Sequence, residues 1–108
     1  MIEKTYRFQQ ASDKLIEKLI DDENLAINHI VLAQGDYVPE HFSNSNVYLL
    51  IIRGTMTLQL QNQEKHYYQA GTIINLPYHI KMNISNEEEE LLEFFVVKAP
   101  NPRHFSSR

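Results

Sequence analysis

From Leu25 onward the apolar residues fall in short segments of strand length, and in one of them they alternate strictly with polar ones. Met56, Leu58 and Leu60 alternate with Thr57, Gln59 and Gln61, the repeat of a strand with one buried face. Residues 47–53 are rich in Val, Ile, Leu and Tyr and stop at Gly54. Further short strands are predicted over 25–32, 66–69, 72–76, 81–84 and 91–98. Each is bounded by turn formers: Gly35-Asp36, Ala70-Gly71, Pro77, Ser85-Asn86 and the acidic run 87–90. Many short strands with regular turns predict an all-β sandwich or closed barrel.

Two stretches depart from this pattern. In residues 12–20, Leu15, Ile16, Leu19 and Ile20 recur at helical spacing, and Ser12 is placed to cap. This favours a short N-terminal helix. The alternative is a strand that turns back through residues 21–24. The tail, 99–108, carries Pro100 and Pro102 and cannot continue a central strand. It is expected to cross the barrel exterior or to fray.

Length and composition narrow the reading. The 108 residues fit one domain, with a strand core at about 25–98, an arm at 1–24 and a tail at 99–108. There is no cysteine, which removes disulfides and thiolate metal sites. The net charge is -4 and no basic patch stands out, so nucleic acid is not expected as a partner. No apolar run approaches the roughly 20 residues of a membrane span. The N-terminus has no apolar run after its charges, so no signal peptide is expected and a cytoplasmic location is.

Gly35, His41, Ser43, Val47 and Gly54 form one spaced set. Gly71, Pro77, His79, Met82 and Asn86 form a second. In order, they resemble the paired motifs of the cupin family. The first motif runs Gly, five residues, His-x-His, three or four residues, Glu, six residues, Gly. The second runs Gly, five residues, Pro-x-Gly, two residues, His, three residues, Asn. The glycines at 35, 54 and 71, His41, Pro77 and Asn86 match. Ser43 stands at the second His, Val47 at the Glu, His79 at a Gly and Met82 at the last His. The short gap between the motifs is similar to that of small bacterial cupins. The resemblance implies a double-stranded β-helix, or jelly-roll, barrel and a homodimer.

The family holds a divalent metal with the three His and the Glu of these motifs, and only His41 remains of the four. One imidazole with a hydroxyl and a thioether gives little affinity for a first-row metal. If Val47 points inward, so do Leu49 and Ile51, and the lumen beside His41 is apolar. No metal and no cofactor are therefore expected in that site. A soft copper ion held by His41, His79 and Met82 is a minor alternative.

Each candidate also has a plainer role. His41 can be a locally bonded residue at the barrel mouth, His79 a loop residue and Met82 core filler. Ser43 is expected to bond to backbone within 43–46. Glu40 should point away from His41. His29 and His66 lie in strands as structural histidines, and His104 is solvated in the tail. Tyr48, Tyr67, Tyr68 and Tyr78 are expected on the outer sheet or a dimer face.

Three functions fit these residues. The first is a metal-free small-molecule binding or sensing module, with His41, Ser43, Val47, Leu49, His79 and Met82 around the ligand. The second is an enzyme: a metal-independent isomerase or epimerase with His41 as base, or a metal-dependent oxygenase. The third is a filled barrel with a structural or partner-binding role. No substrate class is readable from the sequence.

Overall fold

The alternating segments pair into two antiparallel sheets that bury their apolar faces against each other. The protein is described by a computed structural model covering residues 1–105. Its strands are β1 (Leu15–Asp21), β2 (Ala26–Leu32), β3 (Tyr37–Phe42), β4 (Val47–Arg53), β5 (Thr55–Leu60), β6 (His66–Gln69), β7 (Ile73–Leu76), β8 (Lys81–Ser85) and β9 (Leu92–Lys98). A short helix α1 (Pro102–Phe105) follows. The five-stranded sheet runs β1-β2-β9-β4-β7 and the four-stranded sheet β3-β8-β5-β6. The jelly-roll architecture is as expected. Inward positions of β2, β4 and β9 meet those of β5 and β8, giving a core that includes Leu32, Leu49, Phe94, Met56, Leu58 and Ile84.

Residues 12–20 do not form a helix. Residues 15–21 are strand β1, paired with β2 through Leu15↔Val31, Glu17↔His29 and Asp21↔Ala26. Local helical spacing yields here to cross-strand pairing. The reversal is set by Asp22, whose carboxylate accepts from the backbone N–H groups of Asn24 and Leu25 at 2.8 and 3.1 Å. The sheet thus begins inside the segment expected as an arm.

Strand β3 is an addition to the strands expected from the sequence, where Pro39 interrupts it and most of its side chains are exposed. Its pairing with β8 shifts register between Val38 and His41. A bulge accommodates a residue that cannot donate to the ladder.

Motif residues secure the turns. Gly54 has φ +82°, and a Cβ there would overlap the carbonyl oxygen of Leu91, so this β4–β5 turn admits glycine alone. Asn86 is fully buried and donates to the carbonyls of Leu32 and Glu90, both at 2.9 Å. It clamps the end of β2 to the approach to β9.

The arm and the tail both dock on the barrel through particular residues. Phe8 of the arm packs on His29 and Phe95, at ring centroid distances of 4.8 and 4.9 Å, on the outer face of the five-stranded sheet. At the other end Asn101 caps α1, accepting from Arg103 N–H at 3.1 Å. Its amide donates to Asp21 Oδ1 at 2.6 Å and to Asp22 O at 2.9 Å. The tail is therefore docked through residue 105. Residues 106–108 of that tail lie outside the described residues.

Candidate functional site

The inner faces of the sheets leave a cavity of about 120 Å³. Leu49, Met82, Ile84, Val96 and Ile30 make it apolar, and all are at least nine-tenths buried. Val47, at 1% exposure, points inward with Leu49 and Ile51, as the alternation requires. His41 and Ser43 also line the cavity. Positions 41, 43, 47, 49 and 82 thus converge on one space, although they come from three strands and a loop.

His41 sits at the exposed mouth, opposite Met82 in the β3–β8 register. Its Nδ1 lies 2.9 Å from Pro39 O. A carbonyl only accepts, so this nitrogen carries the proton and Nε2 is left as an acceptor.

Ser43 binds elsewhere than expected. Its hydroxyl donates to Pro77 O at 2.6 Å and accepts from Ile80 N–H at 2.8 Å. Its carbonyl accepts from His79 N–H at 2.8 Å. Ser43 therefore fastens the 77–80 turn to the barrel, with most of its polar capacity already used.

His79 is a correction to the sequence reading. It has φ +66° and stacks on Phe42 at a 4.8 Å centroid distance. It does not line the cavity. The left-handed backbone at the old glycine position swings the imidazole outward. The His41–His79–Met82 copper arrangement is therefore not assembled.

The sequence reading missed the charged side of the site. Lys98 and Asn28 line the cavity too. Lys98 is the register partner of Val47 on one side and of Ala26 on the other. Phe94 and Val96 face the core, so the two-residue period carries Lys98 to the same face. Burial, and then the nearby Lys18, hold its ammonium below the usual lysine range. No ion pair or hydrogen bond engages this ammonium among the described residues. A second hollow adjoins the cavity through shared Asn28, Asn44 and Lys98, and reaches Lys18, Asp21 and Asn101.

These donors do not fit a divalent metal. Among the described residues no group of three His, Cys, Asp or Glu side chains is placed to hold a metal ion. His41 is the one imidazole at the cavity, and an ammonium shares the space.

A second polar cluster lies on the opposite face of the five-stranded sheet. His29 is fully buried, with Nδ1 2.7 Å from Glu17 Oε2 and Nε2 2.7 Å from Glu93 Oε2. Arg53 pairs with the other Glu93 oxygen at 3.3 Å. The Gln9 backbone N–H and then His29 hold the Glu17 carboxyl below its ordinary range. A larger open groove of about 520 Å³ runs beside this cluster under the arm. Its charges, Arg53 and Glu93, pair with each other at 3.3 Å, while the buried Arg53 Nε has no hydrogen-bond partner among the described residues. His29 is the satisfied strand histidine that the sequence suggests, but its carboxylate partners lie 12 and 64 residues away.

No protein-family model matches the chain. An uncharacterized protein of Methanocaldococcus jannaschii is 50% identical over 108 residues, covering 99% of this chain and 93% of that one. A crystal structure from the same organism, described as an RmlC-like cupin family protein with a double-stranded β-helix fold, superimposes with TM-score 0.96 at 50% identity. It covers 99% of both chains. A cupin superfamily protein of Desulfitobacterium hafniense superimposes at TM-score 0.72 with 16% identity, over 86% of this chain and 83% of that one. A cupin-like protein of Thermotoga maritima does so at 0.77 with 15% identity, over 86% and 80%. These last two show the fold alone.

Proposed function

The chain belongs to the RmlC-like cupin family of double-stranded β-helix proteins, and we propose that it acts there as a metal-free module that binds or senses a small molecule in its lumen. The observation that carries this reading is the cavity itself. It is a largely apolar space, open at the His41 mouth, with a few polar groups at its rim, the general form of a ligand site. At about 120 Å³ it is smaller than the roughly 300 Å³ at which drug-sized pockets begin. Its ligand is accordingly a small metabolite or the narrow end of a larger one. A packed-shut barrel would place side chains in this volume.

A thermal-shift screen of small metabolites tests the reading. A ligand at about a hundred times its Kd adds about 2.7 kcal/mol, which raises Tm by more than about 10 °C in a domain of this size. A screen in which no compound at millimolar concentration moves Tm would count against the proposal.

One observation favours a second reading. The bond from His41 Nδ1–H to Pro39 O presents Nε2 as a base at the cavity mouth. An isomerase or epimerase using His41 would lose turnover on His41→Ala while still binding its substrate.

A further inference from the structure

The cavity has a net sign. Its lining includes Lys98 and His41, with Asn28, Asn44 and Ser43 as neutral polar groups, and no aspartate or glutamate. The adjoining hollow is lined by one acid, Asp21. That carboxylate is already engaged by Asn101 at 2.6 Å and Arg103 at 2.8 Å. Lys98, by contrast, projects from β9 toward the lumen with no partner among the described residues. A half-buried ammonium without a counterion loses hydration and recovers nothing within the fold. Burial first, and the second lysine, Lys18, after it, make Lys98 give up its proton more readily. The missing component of this arrangement is a negative charge.

Deepening the binding reading above, on which this step rests, we infer that the lumen takes a small organic anion, its carboxylate at Lys98 and its tail among Leu49, Met82, Ile84 and Val96. At roughly 30 Å³ per water-sized group, the cavity holds a tail of about four such groups. A short-chain monocarboxylate therefore matches it in size as well as in charge. The anion would have Lys98 as a charged donor and the Asn28 amide as a neutral one. A larger acid would extend into the hollow beside Lys18.

Butanoate, butanamide, 1-butanol and butylammonium share one tail and differ in the head. Their binding to the whole protein is followed by the methyl resonance of Met82, with affinities from calorimetry. Butanoate should bind at least about tenfold more tightly than butanamide, the worth of one charge-assisted contact. Lys98→Met should erase that preference while leaving butanol binding in place. Lys98→Gln serves as a second variant should the first fail to melt cooperatively. Equal affinity for butanoate and butanamide, or a preference for butylammonium, overturns the anion inference and leaves lumen binding intact. No shift of the Met82 methyl with any of the four probes overturns both.

Discussion

Lys98 and Val47 are register partners on adjacent strands, and both face the lumen from the same row of the sheet. Val47 stands where the first cupin motif has its glutamate, so a fixed cation sits beside the place where an anionic ligand for a metal is absent. The two departures reinforce each other. Protein purified without chelator or affinity tag should carry far less than one equivalent of any transition metal by mass spectrometry. Val47→Glu should form an ion pair with Lys98 rather than create a metal site, and should leave metal content unchanged.

The free ammonium costs stability. The folded-state pKa of Lys98 lies below its unfolded value, so between the two the unfolded chain binds more protons. Stability should therefore rise with pH as the medium approaches the ordinary lysine range near 10.5. Lys98→Met should raise Tm at neutral pH by a few degrees and remove this alkaline gain, as read by calorimetry across pH.

The opposite sign applies to Glu17. Its carboxyl titrates below the ordinary value of 4.5 because the Gln9 N–H and His29 favour the ionised form. The stability it contributes is present above that value and is lost as pH falls through the folded pKa. Acid titration of wild type should show a loss of stability in this range, and Glu17→Gln should flatten it at the expense of stability at pH 7.

Removing the buried imidazole is more damaging. His29→Ala leaves Glu17 and Glu93 facing an empty space beneath Phe8, with Arg53 compensating one of them. Breaking a buried ion network by deleting one partner costs about 3 to 5 kcal/mol. Urea denaturation should register a loss in that range, and replacing both carboxylates in the same background should recover part of it.

Asn86→Asp is nearly isosteric but replaces an amide donor with an acceptor. The Leu32 and Glu90 carbonyls would each lose a buried partner and face a carboxyl oxygen instead. A cost of about 2 kcal/mol or more is expected from the unmet acceptors alone, measurable as a lowered denaturation midpoint with unchanged slope.

The legibility of this chain follows the range of the interactions involved. Strand β5 is written in period-two alternation and β4 and β9 in short apolar runs, signals that depend on neighbouring residues alone. Gly54 and Asn86 are readable because the motif spacing fixes their turns. Strand β1 was ambiguous because Leu15, Ile16, Leu19 and Ile20 satisfy two periods at once, and pairing with β2 decides between them. Strand β3 is masked by Pro39 and by exposed side chains. The His29 cluster depends on carboxylates brought together only by the sheet. Lys98 is the one omission that the pattern could have prevented. Phe94 and Val96 point inward, and the next step of the same period is a lysine. A charge at the end of an apolar face reads as a strand terminus until the partner strand shows it inside.

The tail and the arm have different value as attachment points. Asn101 and Pro102 border the hollow that opens onto Lys98, so an insertion beside these two residues would crowd that hollow and load the cap that anchors α1. Met1 and Ile2 stand clear of the barrel, and the arm they lead lies against the outside of the five-stranded sheet. A reporter or immobilisation handle placed before Met1 would leave the mouth unobstructed, making that end the natural choice for building the barrel into a biosensor.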